Sequence, residues 1–254
     1  MALVSCSFYS DALELSTAMT VLLPQRTSTQ IGMADAAAGE HGAPVLYLLH
    51  GLSDDHTTWQ RRTSVERYVA PLGLAVVMPA VSRSFYADER HGQRYWTFLT
   101  QELPQVVRSF FRVSERPEDT YVAGLSMGGY GALKWALQEP SRFAAAASIA
   151  GAVDVVGLAG RGERRDLFDR VFGGTPGPTD DLYALLAGSD AAALPPLHVS
   201  CGTADQLLDS NQRFARAASE AGARVTTDWR PGEHDWDFFD AELQRVLAWL
   251  PTAG

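Results

Sequence analysis

A serine hydroxyl is a poor nucleophile until a neighbour takes its proton, so a serine with chemistry to do is recognised by its setting and by the base and acid that could serve it. Ser126 has such a setting. Thr120-Tyr121-Val122-Ala123 is a β-branched and aromatic run, Gly124-Leu125-Ser126-Met127-Gly128-Gly129 follows it, and Tyr130 to Glu139 reads as a helix that Pro140 stops. G-x-S-x-G between a strand and a helix predicts a sharp turn that lifts the serine clear of a sheet. Gly124 and Gly128 are required there because a Cβ would collide with the neighbouring chain. The helix N-terminus then lies beneath the hydroxyl, where developing negative charge is favoured. A five-residue pattern of common residues also arises by chance, and its position between strand and helix is what raises this occurrence above coincidence.

Six histidines compete for the part of base. His41 lies in a polar connection, His91 in an Arg/Gly/Gln loop, and His198 inside an apolar strand, where a packed histidine is the ordinary role. His50 and His56 precede the serine. His234 follows the last strand in Pro231-Gly232-Glu233-His234-Asp235-Trp236, at the carboxyl edge of the sheet where ligands of open α/β sheets bind, and is the candidate base. Its orienting acid should fall between serine and histidine in the chain and leave the sheet at the same edge. Cys201-Gly202-Thr203-Ala204-Asp205 fits. Asp209 is the rival, and it also reads as an N-terminal acid or cap for a helix starting near Ser210. Asp205 is preferred because catalytic groups favour the loop just beyond a strand.

Leu49-His50-Gly51-Leu52 ends the third strand with a glycine that permits close approach, so the backbone N–H groups of Leu52 and Met127 are the expected oxyanion donors. Trp59, Tyr86, Tyr95, Trp96 and Trp236 are aromatic candidates for a substrate pocket, each equally at home in a core. Asp54, Asp55 and His56 could suggest a metal site, but as neighbours on one loop they read as solvated polar groups, and no metal or other cofactor is expected. Cys6 and Cys201, the two cysteines, read as packed thiols.

These groups need a frame. Val4-Ser5-Cys6-Ser7-Phe8 and Met19 to Leu23 alternate or run apolar as two antiparallel strands. Val45–Leu49, Leu74–Met78, Tyr121–Ala123 and Ala144–Ala150 are short apolar runs, with helical periodicity between the first three, which predicts buried parallel strands with crossover helices. Leu197–Cys201 and Arg224–Trp229 are two more strands, separated by a helix over Ser210–Ala221, and Asp235–Leu250 forms the last helix. Gln25–Gly42, with the alanines Ala36–Ala38, reads as an exposed connection. Gly151–Pro195 interrupts the alternation as a small insertion, with a short helix at Leu182–Leu186, that either roofs a pocket or meets a second copy of the chain. The 254 residues are therefore expected to form one α/β domain.

A composition that is 46% hydrophobic and 20% charged is ordinary for a globular chain, and a net charge of −9 without Lys/Arg runs argues against nucleic acid or an anionic membrane as partner. Met1–Phe8 lacks a basic start followed by an apolar run, so a cytoplasmic location is expected.

Taken together, His50-Gly51-Leu52, Gly124 to Gly129, Cys201 to Asp205 and Gly232-Glu233-His234-Asp235-Trp236 resemble the esterase D group of esterases. The likeness runs from Phe8-Tyr9-Ser10, through Glu102-Leu103-Pro104, to the final helix. That group includes tributyrin esterases and S-formylglutathione hydrolases, with mycolyltransferases as distant relatives. The compact insertion and the Gly-Glu-His-Asp-Trp ending are most similar to the tributyrin type. The resemblance implies the α/β-hydrolase fold, a mostly parallel sheet with helices on both faces. It also implies hydrolysis of small-molecule esters with short acyl chains by Ser126, His234 and Asp205, without a cofactor, with thioester hydrolysis or acyl transfer as the other activities of the group.

Overall fold

The alternation along the first strand and the unbroken apolar runs further on have different structural outcomes. In the computed structural model, which describes residues 1–29, 31, 39 and 41–252, β1 (Ala2–Ser10) alternates half-buried and exposed positions, as an edge strand covered on one face does. It pairs antiparallel with β2 (Leu15–Leu23). Among the later strands, β3 (Val45–Leu49), β4 (Ala75–Pro79), β5 (Thr120–Leu125), β6 (Ala145–Ile149) and β7 (Leu197–Gly202) are buried at every position, and β8 (Val225–Arg230) closes the other edge. The eight strands form one sheet in the order β1-β2-β4-β3-β5-β6-β7-β8, and every pairing from β4 onward is parallel.

The helices are α1 (Thr58–Arg62), α2 (Val65–Val69), α3 (Tyr95–Thr97), α4 (Leu103–Phe110), α5 (Met127–Gln138), α6 (Val155–Gly160), α7 (Arg165–Phe172), α8 (Leu182–Ala187), α9 (Leu208–Glu220) and α10 (Trp236–Trp249). They cover both faces of the sheet, α2 packing with α10 and α5 with α8, which in turn meets α9. α5 is buried from Met127 to Leu137, so it belongs to the core and not to the surface. Between α3 and α4 the chain makes a π turn, Phe98–Glu102. The Glu102 carboxylate at its end accepts from Ser10 Oγ at 2.5 Å and from the Asp11 and Ala12 amides at 2.8 and 3.1 Å, which fastens the β1–β2 turn to this helix. Among the described residues no helix is long and apolar enough to cross a membrane.

Every expected strand forms, with bounds shifted by a few residues at most. The segment 151–195 holds more helix than its composition suggests, α6 and α7 as well as the short helix at Leu182. Gln25 and Arg26 are exposed as expected of a connection, and Ala36–Ala38 lie outside the described residues.

His198, the second residue of β7, is 3% exposed and packs its ring 5.2 Å from that of Trp249. Burial lowers its pKa from 6.5 to about 4, with Asp228 opposing the shift. A base depressed in this way is neutral in both states above pH 6.5. As pH falls below that value the unfolded chain binds a proton the folded one refuses, and stability is lost until about pH 4, where the folded state also protonates. The loss over that interval is on the order of 3 kcal/mol. His198→Phe is expected to flatten the decline of unfolding free energy between pH 6.5 and 4, measured by urea denaturation at a series of pH values; an unchanged slope would remove His198 as its source.

Candidate active site

β5 and α5 meet at Ser126, whose backbone sits at φ 53°, ψ −116°, a region that non-glycine residues rarely occupy. Its surroundings over-determine it: the Ser126 N–H donates to the Ile149 carbonyl at 2.9 Å, and its own carbonyl accepts from Tyr130 N–H at 3.1 Å and Ala152 N–H at 2.9 Å. Strand and helix cross so closely that a Cβ on Gly124 would overlap the Gly128 backbone, and one on Gly128 would overlap the Leu49 carbonyl of β3. The two glycines of G-x-S-x-G are thus contact residues between three elements.

Ser126 Oγ lies 3.0 Å from His234 Nε2, and His234 Nδ1 lies 2.7 Å from Asp205 Oδ2. With the carboxylate accepting from Nδ1–H, Nε2 is left to accept from the serine hydroxyl. The Asp205 side chain is fully buried, and its other oxygen accepts from the Leu207 N–H at 2.8 Å. Its loop and the histidine loop are fastened to each other by Thr203 N–H to the Arg230 carbonyl at 2.7 Å and Ala204 N–H to the Gly232 carbonyl at 3.0 Å. Asp209, the rival acid, is exposed in the first turn of α9 and pairs with Arg213. Cys201, the residue before Gly202, is buried, and its thiol is pushed up by burial and by the adjacent Asp205, the opposite of what a nucleophilic cysteine needs. The imidazole is flanked by rings: Phe239 edge-on to His234 at 5.1 Å, Trp236 edge-on to Phe239 at 5.5 Å, and Trp59 edge-on to Trp236 at 5.6 Å.

β3 is the direct neighbour of β5, with Leu49 opposite Gly124, so the turn after β3 reaches the serine. A Cβ on Gly51 would stand 3.8 Å from the Ser126 Cβ. Neither the Leu52 nor the Met127 N–H has an acceptor among the described residues. His50 directs the first of them. Its Nε2 accepts from the Val81 N–H at 3.1 Å, which leaves Nδ1–H to donate to the Gly51 carbonyl at 2.7 Å. The Gly51 carbonyl and the Leu52 N–H belong to one planar peptide, so holding the first aims the second. Burial lowers the pKa of His50, favouring the neutral ring this double role requires. Tyr86 adds a third tie, donating its hydroxyl to the His50 carbonyl at 2.8 Å. Beneath, the buried Lys134 of α5 donates to the Tyr86 carbonyl at 3.0 Å and pairs with Asp180 at 2.7 Å, so one ammonium joins α5, the turn after β4 and the segment before α8. Burial lowers the Lys134 pKa, against the pull of Asp180.

Ser126 and His234 open into a cavity of about 710 Å³ lined also by Gly51, Leu52, Met127, Phe85, Phe168, Leu207, Trp236 and Phe239. Leu158, Arg161, Arg164 and Phe168 come from segment 151–195, which therefore forms one wall. Of the five aromatic residues expected in a pocket, Trp236 lines it. The other four are corrected to structural positions. Trp59 is buried and donates from Nε1 to the Leu49 carbonyl at 3.1 Å, Tyr86 holds His50, Tyr95 donates to Ser82 Oγ at 3.1 Å, and Trp96 stacks under Lys134 Nζ at 4.2 Å. The polar ends of Trp59, Tyr86 and Tyr95, and the ring face of Trp96, are spent on the framework. Phe239 was findable three residues after Trp236 on the same helical face, whereas Phe85 and Phe168 carry no local signal. Asp54 lines the cavity, Asp55 accepts from Thr57, and His56 Nδ1 lies 2.8 Å from Thr20 Oγ1, so the loop trio points three ways.

Comparison with known proteins bears on this arrangement. The model of the family described as "Putative esterase" matches residues 10–250. An acetyl esterase of Caldicellulosiruptor saccharolyticus is 27% identical over 98% of both chains. Among solved structures, a fluorophosphonate-binding serine hydrolase of Staphylococcus aureus superposes with a TM-score of 0.87 at 31% identity. An S-formylglutathione hydrolase of the same organism superposes with 0.84 at 30%, and each covers 98% of both chains.

The crossing of β5 and α5 leaves no room for a methyl group, so Gly124→Ala is expected to lower the unfolding free energy by about 2 kcal/mol or more. Urea denaturation reads this directly, and an unshifted midpoint would mean that the helix can part from the strand without cost.

Proposed function

Because this chain belongs to the Putative esterase family, we propose that it hydrolyses short-chain carboxylic esters by way of a serine acyl-enzyme, with Ser126 as nucleophile, His234 as base and Asp205 as its orienting acid. It is a carboxylic ester hydrolase with the α/β-hydrolase fold. The observation that carries the finer reading is the unbroken line from Ser126 Oγ through both nitrogens of His234 to the buried Asp205, at 3.0 and 2.7 Å.

In the first half-reaction Ser126 Oγ bonds to the ester carbonyl carbon as its proton passes to His234 Nε2. Asp205 stabilises the imidazolium so formed, while the carbonyl oxygen, now negative, takes hydrogen bonds from the Leu52 and Met127 amides. Collapse breaks the bond to the alcohol oxygen, which leaves with the proton from His234. In the second half water gives its proton to His234 and attacks the acyl carbon, and the proton returns to Ser126 Oγ as the carboxylic acid departs. The acetyl esterase relative supports small acyl groups. The likeness to an S-formylglutathione hydrolase supports a second substrate class, thioesters, for which the same steps hold with sulfur as the leaving atom.

A fluorophosphonate probe is expected to label the protein, and Ser126→Ala to lose both labelling and p-nitrophenyl acetate and butyrate hydrolysis; turnover undiminished in that variant would sink the proposal. Asp205→Asn is expected to lower kcat by about 10⁴-fold, and Asp209→Asn to leave it within a few-fold, the reverse order assigning the acid to Asp209. His50→Asn, which releases the Gly51–Leu52 peptide, should lower kcat by about a hundredfold with little change in KM.

A further inference from the structure

The cavity wall contributed by segment 151–195 bears charge that hydrolysis of a neutral ester does not call for. Arg161 and Arg164, in the turn between α6 and α7, and Arg83, just after β4, all line the cavity that holds Ser126 and His234. Elsewhere Arg116, Arg142, Arg170, Arg213, Arg230 and Arg245 each meet a carboxylate, while others such as Arg62, Arg90 and Arg216 form no ion pair among the described residues. The three cavity arginines meet none among the described residues. Two acids share the lining. Asp54 lies beside Gly51, and Glu163 lies between the two arginines in sequence without pairing with either, so the lining keeps a net formal charge of +1.

In a chain of 21 basic and 30 acidic residues, even this small excess of cations runs against the overall charge. Like charges gathered on one concave surface repel, and they attract an anion that spreads its charge among them.

The wall is also built to stay in place. Arg170 Nη2 donates to the Arg83 carbonyl at 3.0 Å, and the Arg90 and His91 amides donate to Val171 and Arg170 at 2.8 and 2.9 Å. Between these ties Phe85 packs against Phe168 at 5.3 Å and Phe172 at 5.9 Å. The segment carrying Arg83 and the helix after Arg164 are thus tied to each other. Exposed guanidinium groups carried on backbone held this way, beside the apolar Phe85 and Phe168 of the same lining, suit a substrate with an apolar body and an anionic end.

We propose that the cavity selects esters or thioesters bearing a carboxylate, and that Arg83, Arg161 and Arg164 are the specificity-determining residues that receive it. This rests on the hydrolase reading above. An anionic group could sit on either side of the scissile bond, and paired substrates separate the two cases. On the leaving side, 4-acetoxybenzoate is compared with 4-acetoxybenzamide. On the acyl side, the p-nitrophenyl monoester of adipic acid is compared with its methyl-capped counterpart.

The anionic member of at least one pair is expected to have the higher kcat/KM, on the order of tenfold for screened, partly exposed charges. That ratio should shrink toward unity at 0.5 M salt and in the triple variant Arg83→Gln/Arg161→Gln/Arg164→Gln. The ratio is the readout because a general loss of folding or of catalysis lowers both members of a pair alike. Equal kcat/KM within both pairs, or a preference that survives the triple substitution, would overturn the assignment. Failure of the native protein on p-nitrophenyl acetate would instead overturn the hydrolase reading on which it stands.

Discussion

The contact on which the site depends is the crossing of β5 and α5, close enough that neither Gly124 nor Gly128 can carry a side chain. That closeness forces the connecting residue into a backbone conformation at φ 53°, costly for serine, and three backbone hydrogen bonds to Ile149, Tyr130 and Ala152 hold it there. The strain is of use: a relaxed turn would lay the Ser126 hydroxyl along the sheet, while this one raises it over a helix N-terminus and toward the loops from the other strand ends. The burial of α5 from Met127 to Leu137 follows from the same contact, because a helix pressed against its own strand must be apolar nearly all round.

What surrounds the elbow is a set of polar ties that convert loops into fixed parts. Parallel strands release their loops at one edge, which brings the ends of β3, β5, β7 and β8 together but does not by itself orient them. His50 aims the Leu52 peptide, Tyr86 holds His50, and Lys134 holds Tyr86 while pairing with Asp180. On the far side, backbone bonds from Thr203 and Ala204 join the acid loop to the histidine loop. Each tie satisfies a group that burial would otherwise penalise, so the same bonds that complete the fold also restrain the site.

The cavity has two characters. Its aromatic side, Trp236 and Phe239, sets the imidazole at an angle and comes from the helix that follows His234. Its other side comes from the segment between β6 and β7 and from the turn after β4, and it carries Phe168, Phe85 and three arginines. The first side packs on the imidazole, whereas the second meets the catalytic serine through backbone, the Ala152 N–H donating to the Ser126 carbonyl at 2.9 Å, and its arginine side chains make no hydrogen bond to Ser126, His234 or Asp205 among the described residues.

Strand and helix order, the serine turn and the histidine were legible in the sequence because each is local: period-two and period-3.6 patterns, a glycine pair at fixed spacing, and a loop following a strand all act over a few residues. Asp205 was legible only as a preference over Asp209, since both follow the same strand. The tertiary structure separates them by burying one against His234 and leaving the other exposed to Arg213. Trp59, Tyr86, Tyr95 and Trp96 were indistinguishable from pocket residues in the sequence, because composition does not say where an aromatic ring's polar end finds its partner. The arginine-bearing wall had no local signature at all. Arg83 and Arg164 are 81 positions apart in the chain, and only the docking of the turn after β4 onto α7, through Phe85, Phe168 and the Arg170 bond, brings their charges to one mouth.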